Sequence, residues 1–299
     1  MVTFIMAVGI AGSGKDYLYA HHYLLQPEYK DLVMVSSDNI RETIFGDIND
    51  QAHNKEVFEI MRQQALKLLK QGISVYYNAT NLSSKRRINF LKEVSKIPNV
   101  KKICALNVPP FEKVKERNAG RIRKVPEEVI EKMLRKFQPP HQSEGWDEIE
   151  VFGKDMDGQK TYDIVATANK IPHDNPNHTL TIGKHMYQAY FYGIRQGLPL
   201  DVCEAALCHD VGKPHCKSFY DYRGRKTRKA HYYSHDSVGA YIYLSHSNGL
   251  EQDITVANLI AHHMDFFKGE KCLTKIKNQY GEEFYKKLEQ LHEADINAH

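Results

Sequence analysis

Short apolar runs alternate with stretches of helical spacing along the first half of the chain, and the alternation stops near Phe152. Residues 4–8, 32–36, 73–77, 100–108 and 149–152 have the length and apolar character of strands. Residues 51–71, 83–96 and 126–136 carry apolar positions at helical spacing. The first of these ends before Gly72, the second before Pro98, and the third opens on a proline, which a first helical turn accepts. Strands that take turns with helices predict a parallel sheet covered by helices on both faces. Reactive groups then belong at the carboxyl ends of the strands. From Thr179 onward no strand alternation is read; residues 180–196, 199–209, 235–247, 252–263 and 281–298 read as helices. The expected architecture is an α/β domain over 1–152, a linker over 153–172 with room for one ordered hairpin, and an all-α domain over 173–299. Within the linker, Asp155-Met156-Asp157-Gly158 has the start of a calcium loop, but Lys160 and a missing glutamate speak against one.

With 299 residues, 41% hydrophobic and 26% charged, the chain has room for two globular domains. No apolar run approaches a membrane span, and the apolar start lacks the charged leader of a signal peptide. Five cysteines, an odd number without paired metal spacing, point to reduced thiols and a cytoplasmic setting. A formal charge of +4 neither requires nor excludes nucleic acid, so local clusters must decide.

The first cluster is Gly9-Ile10-Ala11-Gly12-Ser13-Gly14-Lys15-Asp16, placed between a strand and a helical stretch as a Gly-x-x-x-x-Gly-Lys phosphate loop requires. Glycines let backbone N–H groups turn inward, and with the positive end of the next helix these cradle a polyphosphate. Lys15 reaches the outer phosphates. A Ser or Thr normally follows the lysine and holds Mg²⁺; Asp16 stands there instead and can bind the ion directly or through water. At the end of the second strand, Ser36-Ser37-Asp38-Asn39-Ile40-Arg41 sets Asp38 and Arg41 on one face of a helical turn. Asp38 can take a proton from an attacking hydroxyl, and Arg41 can grip a phosphate. The plain alternative is that Asp38 caps the helix. After the third strand, Asn78-Ala79-Thr80-Asn81 offers polar groups to the same cleft, with Thr80 and Asn81 as candidate nucleic-acid contacts. Arg117, Arg121, Arg123 and Lys124 surround Gly120, as in a lid that closes over transferring phosphates.

These residues resemble the P-loop polynucleotide kinases, such as the phage 5′-end-healing kinase, and their zeta-toxin-like relatives, across the span 1–152. The resemblance implies ATP with Mg²⁺ as donor and Asp38 as general base for a 5′-hydroxyl. It puts Arg41 on the acceptor-side phosphate, Arg121 on the donor phosphates, and Arg117 and Arg123 among further lid contacts. Relatives commonly carry Asp where Asn78 stands and Ser or Thr where Asp16 stands, so both departures touch metal-side positions.

The second half is marked by histidines, of which the chain has sixteen. His209-Asp210 ends a helix before Val211-Gly212-Lys213-Pro214 and can give one imidazole and one carboxylate to a single ion. His185 and Asp295 from facing helices would complete four ligands, and His235 with His262 or His263 could hold a second ion. Two ions close together suit phosphate-ester hydrolysis. This half resembles the HD-domain phosphohydrolases, best those of nucleic-acid enzymes such as the bacterial CCA-adding enzymes. The stretch from Asn177-His178 to His185 resembles their first ligand helix and Leu207-Cys208-His209-Asp210-Val211-Gly212-Lys213 their core motif. Tyr233-Ser234-His235-Asp236 resembles a later histidine motif, and Ala294-Asp295 the terminal aspartate. The resemblance implies His185, His209, Asp210, His235, His263 and Asp295 as ligands of one or two divalent ions, with Lys213 beside substrate phosphate. Between the motifs, Arg223, Arg225, Lys226, Arg228 and Lys229 are flanked by Tyr220, Tyr222, Tyr232 and Tyr233. That mixture suits single-stranded nucleic acid; a charged surface loop is the equal alternative.

A strand break with a 5′-hydroxyl and a 3′-phosphate or 2′,3′-cyclic phosphate needs both activities before a ligase can act. The expectation is an α/β P-loop kinase domain followed by an all-α HD-type domain, healing RNA or DNA ends upstream of a ligase, with no membrane partner. Fusions of these two kinds of domain are a known type of bacterial repair protein. Two alternatives remain: a nucleoside or nucleotide kinase fused to a nucleotidase, and a nucleotide-switched regulatory protein whose HD site is structural.

Overall fold

The computed structural model describes residues 1–121, 123–155, 161–175 and 179–298. Ile122, Met156, Asp157, Gly158, Lys160, Asn177 and His178 lie outside the described residues. The chain forms two compact units.

In the first unit, β1 (Val2–Val8), β2 (Val33–Ser36), β3 (Val75–Asn78), β4 (Val100–Asn107) and β5 (Glu148–Phe152) make one parallel sheet in the order β2-β3-β1-β4-β5. Its helices are α1 (Lys15–Leu18), α2 (Ser37–Phe45), α3 (Asn54–Lys70), α4 (Ser84–Val94) and α5 (Phe111–Ala119). The central strand β1 is buried from Phe4 to Val8, which is why it reads as an unbroken apolar run rather than an alternating one. Its successive side chains serve opposite faces. Ile5 and Ala7 pack on Leu18 and Tyr23, while Phe4 meets Phe90 of α4 edge-on at 5.3 Å. Helices thus cover both faces, as the alternation of elements predicts. From β1 the chain builds β2 and β3 on one side and β4 and β5 on the other, so a crevice opens beyond the carboxyl end of β1.

The second unit is helical: α6 (Glu127–Leu134), α7 (Thr161–Ala168), α8 (Ile182–Arg195), α9 (Leu200–Cys208), α10 (Lys213–Cys216), α11 (His235–His246), α12 (Glu251–His262), α13 (Glu270–Tyr280) and α14 (Glu282–Ile296). Helix α8 packs on α9, α12 on both α9 and α11, and α14 on both α8 and α9. Met186, Ala206, Leu244, Ile260 and Leu291 are buried there. The segment Pro126–His141 joins this unit before the chain returns to the sheet in Gln142–Gly153. Within it Phe137 meets Tyr241 edge-on at 5.3 Å, and Asn258 Nδ2 donates to the Pro140 carbonyl at 3.0 Å.

One expectation is corrected here. The second half does contain strands, an antiparallel hairpin of β6 (Ser218–Tyr220) and β7 (Lys226–His231). Along β7 only Ala230 is buried, so there is no apolar face for alternation to reveal. Helix α13 buries Ile276 alone, and its periodicity is correspondingly faint. Helix α7 lies inside the stretch 153–172. Among the described residues no helix is long and apolar enough to cross a membrane.

A buried ion pair steadies the sheet's functional edge. Arg87 of α4 holds Glu144 through two bonds of 2.8 and 2.6 Å, with both side chains at most 1% exposed. Arg87 also donates to the Asn81 carbonyl at 3.0 Å, and Trp146 donates to Glu144 at 3.0 Å. Removing one partner of such a pair leaves the other charge buried and unmatched. Glu144→Gln is therefore expected to cost about 3–5 kcal/mol, read from denaturant unfolding. Glu59→Gln, at a surface pair 3.8 Å apart, should cost less than about 1 kcal/mol. Equal costs for the two changes would contradict this account.

Candidate active sites

The loop after β1 passes through left-handed backbone at Gly12 (φ 81°) and Gly14 (φ 96°). A Cβ on Gly9 would stand 2.6 Å from the Asn107 carbonyl, so side chains are excluded where the loop closes. Ala11 and the buried Ser13 complete it. The Gly9 N–H donates to the Thr80 carbonyl at 3.0 Å. Lys15 folds its amine back over the loop, donating to the carbonyls of Ile10 at 2.9 Å and Gly9 at 3.2 Å. Desolvation lowers that amine's pKa to about 8, against the pull of Asp16 and Asp38 and with the push of Arg121. The charged neighbours of Lys15 are thus the residues singled out in the sequence. A desolvated ammonium gains most from an anionic ligand.

Asn78 Nδ2 donates to Asp16 Oδ1 at 2.6 Å. The two residues that depart from the kinase pattern are therefore one pair, a loop carboxylate faced by a strand-end amide. Ser36, not Asp38, caps α2, its hydroxyl accepting from the Asp38 N–H at 3.3 Å. Asp38 lies between two guanidinium groups, with Arg41 on Oδ1 and Arg123 on Oδ2, each at 3.1 Å. Arg41 is buried. Its Nε donates to the Asp50 carbonyl at 2.8 Å and its NH2 nitrogen to Asn54 Oδ1 at 2.7 Å. Each of its three nitrogens thus carries one bond, and one of these is to Asp38. Arg117 donates to the Ser13 carbonyl at 3.1 Å, directly on the loop, and Arg121 is exposed. Asn81, at φ 48°, ties its amide to the Ala7 carbonyl at 2.7 Å and the Ala79 carbonyl at 3.3 Å. It therefore acts on the backbone of the cleft, and Thr80 meets the loop through its carbonyl.

In the helical unit, Gly212 lets the turn after His209-Asp210 press against α11; a Cβ there would fall 2.1 Å from the His235 carbonyl. Three imidazoles are oriented alike. Nδ1 of His209 faces the Ala206 carbonyl at 2.8 Å, that of His235 the Tyr232 carbonyl at 2.7 Å, and that of His263 the Ile260 carbonyl at 2.7 Å. A carbonyl only accepts, so each Nδ1 carries the hydrogen and each Nε2 is the nitrogen that faces inward, where it can take a proton or a metal ion. His185 does the same through the Ala298 carbonyl at 3.2 Å. The inward nitrogens crowd one another: His185 to His209 at 3.3 Å, and His235 to His263 at 3.1 Å. Asp295 Oδ1 stands 2.9 Å from His185 and 3.3 Å from His209. Asp210 divides its carboxylate, Oδ2 lying 3.4 Å from His209 and Oδ1 3.4 Å from His235. Both its oxygens are buried, and Lys213 Nζ is 2.6 Å from Oδ2.

Nitrogens and carboxylate oxygens this close need a proton or a metal cation between them. Burial lowers the His209 pKa, but Asp210 and Asp295 outweigh it and hold it up at about 10, so that imidazole carries the proton where no metal takes its place. His263 is held down at about 4 by burial and by His235 and His209. Two ligand groups result, His185 with His209 and Asp210, and Asp210 with His235 and His263. The spacings fit the polyhedron edges of an ion with bonds of about 2.0–2.2 Å, so the donor set suits one divalent ion per group. His262 turns away, to Asp265 at 2.7 Å and the Tyr280 hydroxyl at 2.9 Å. Sequence reading misses His173, which is 1% exposed and 3.4 Å from Lys213 Nζ; it sits in an irregular stretch where no periodicity marks it.

Residues 4–140 match the family model described as AAA domain, and residues 182–297 match the HD domain model. The chain thus has a phosphate-loop sheet followed by a helical region that matches the HD domain model, in agreement with the resemblance carried by its motifs. No curated protein matches the chain. Among solved structures it is similar to a chain of the Pnkp1/Rnl/Hen1 RNA repair complex, at 20% identity and a TM-score of 0.37 over 45% of this chain and 43% of that one. A second structure of the Pnkp1/Rnl/Hen1 complex gives 20% identity and a TM-score of 0.33 over 41% and 42%. The chain spans less than half the length of those chains.

If the histidine–aspartate centre holds ions, adding a divalent metal to chelator-treated protein should raise its thermal midpoint. At a hundredfold excess over the dissociation constant the gain is about 2.7 kcal/mol. Asp210→Asn should remove most of that gain, because this carboxylate belongs to both groups. An unchanged metal response in this variant would refute the assignment.

Proposed function

We propose that the chain is a bifunctional end-healing enzyme for nucleic acid, RNA above all. One part is an ATP- and Mg²⁺-dependent 5′-hydroxyl polynucleotide kinase. The other is a metal-dependent phosphohydrolase for 3′-phosphate, 2′-phosphate or 2′,3′-cyclic phosphate ends, so that a ligase can act next. The observation that carries the reading is one chain with both a lysine-bearing phosphate loop beside an arginine-held carboxylate and a convergent histidine–aspartate centre.

In the kinase, Lys15 and the loop N–H groups would hold the donor phosphates. Asp38, oriented by Arg41 and Arg123, would take the proton of the 5′-hydroxyl. Arg117 and Arg121 would meet charge on the transferring group. In the hydrolase, His185, His209, Asp210 and Asp295 would hold one ion, with His235 and His263 sharing Asp210 for a second. Bound ions there would polarise the phosphate and acidify an attacking water. Lys213, paired with Asp210, would add a cation where the phosphate arrives.

The test uses labelled ATP with 5′-hydroxyl RNA, DNA and free nucleosides, beside phosphate release from 3′-phosphorylated ends. Asp38→Ala should lower phosphoryl transfer about 10²–10⁴-fold while ATP still binds. His209→Ala with Asp210→Ala should abolish phosphate release and leave 5′-phosphorylation nearly intact, and Lys15→Ala should do the reverse. Loss of both activities in a folded His209/Asp210 variant would point to a single composite site and end the two-site reading.

The pair of Asp16 and Asn78 gives a separate test. Asp16→Thr removes the carboxylate from the loop, and Asn78→Asp alone places two carboxylates in contact. Each single change should raise the Mg²⁺ requirement for phosphoryl transfer. The double change, which restores the relatives' pattern, should recover most of the activity. A double variant no better than the worse single one would show that the carboxylate cannot be moved between the loop and the strand end.

A further inference from the structure

The β6–β7 hairpin carries chemistry that neither centre uses. Its tip is a built turn. Asp221 Oδ1 accepts from the N–H groups of Arg223 and Arg225, both at 2.9 Å, and Oδ2 accepts from Arg225 Nε at 2.7 Å. Gly224, at φ 75°, closes the turn. Asp221 thereby neutralises Arg225. Arg223, Lys226, Arg228 and Lys229 are exposed and have no ion-pair partner among the described residues. Beside them stand bare rings, Tyr222 at 74% and Tyr220 at 52% exposure. Arg223 lies 5.2 Å from the centre of the Tyr222 ring.

The root of the hairpin is a wall of the histidine–aspartate centre. The hydroxyl of Tyr232 donates to the His173 carbonyl, and its own carbonyl accepts from His235 Nδ1 at 2.7 Å. Its ring lies 5.6 Å from Lys213 Nζ. The six residues of β7, at about 3.3 Å each, therefore lay a track about 20 Å long that ends at that centre.

We propose that this hairpin is a clamp for single-stranded nucleic acid, which grips the strand behind its phosphorylated end and presents that end to the histidine–aspartate centre. This rests on the reading of the centre as a phosphohydrolase and narrows its substrate to an oligonucleotide. Unpaired cations follow phosphates, and exposed tyrosine faces stack bases without choosing among them. A mononucleotide would need no track, and an acidic protein surface would need no bare rings.

The experiment uses the full chain and two variants, Arg223→Glu/Arg228→Glu/Lys229→Glu and Tyr220→Ala/Tyr222→Ala. It measures binding of a labelled single-stranded RNA, and of the same DNA sequence, against salt concentration. It also measures kcat and KM for phosphate release from a 3′-phosphorylated oligonucleotide and from a nucleoside 3′-phosphate. The charge reversal should raise KM for the oligonucleotide about tenfold or more. It should also flatten the salt dependence by about two units of slope, since each phosphate contact contributes about 0.7 on a single strand. The tyrosine variant should raise the same KM, by about tenfold for each base it no longer stacks, and keep the slope. Both variants should turn over the nucleoside 3′-phosphate at the wild-type rate. Unchanged oligonucleotide KM and slope in the charge reversal would overturn the clamp, as would tighter binding of polyglutamate than of RNA. If the wild-type protein releases phosphate from neither substrate, the hydrolase reading fails, and the salt slopes alone judge the hairpin.

Discussion

Asp210 carries a buried negative charge, and the helical unit is arranged around that fact. A carboxylate taken out of water without compensation is among the costliest groups a protein can bury. The compensation comes from distant parts of the chain: His185 on α8, His235 at the start of α11, His263 after α12, and Lys213 three residues on. Each imidazole is aimed by a carbonyl at its far side, so the inward turn of Nε2 is a property of the helices and not of the histidines alone. The tight approach at Gly212 belongs to the same arrangement, because it brings α11 against the turn that bears Asp210.

The phosphate loop obeys a different constraint. Its geometry is local, made by glycines and by the end of β1, so it survives a change in the residue that follows the lysine. Asp16 and Asn78 meet beside it: a loop carboxylate faces a strand-end amide through one hydrogen bond. The cleft thus holds a negative group close enough to Lys15 to pull on its amine.

The parts of both sites that were legible in the sequence are those whose chemistry is contiguous in it. Gly9 to Lys15 and His209-Asp210 form their geometry within one turn, so spacing alone reveals them. Asp38 and Arg41 share a helical turn, and their contact was readable too. The further contacts of Arg41 were not, because its other nitrogens meet Asp50 and Asn54, which the chain brings round only after α2 ends. Arg123 reaches Asp38 across 85 residues, and His173 reaches Lys213 across 40; pairings of that kind belong to the tertiary fold. The hairpin was hidden for the opposite reason. Its composition was plain, but a strand pair exposed on both faces lacks the apolar rhythm by which strands are recognised.

The excursion of Pro126–His141 has a consequence for how such a chain can be assembled or divided. The polypeptide leaves the sheet, contributes Ile130, Leu134 and Phe137 to the helical unit's buried surface, and comes back to lay down β5. Neither unit is a continuous length of sequence. A cut at any single peptide bond between them would strip one unit of a packed element or leave the other with an apolar helix in water. The two activities proposed here are thus not beads on a string, and a recombination event could not exchange one for another by swapping a single segment.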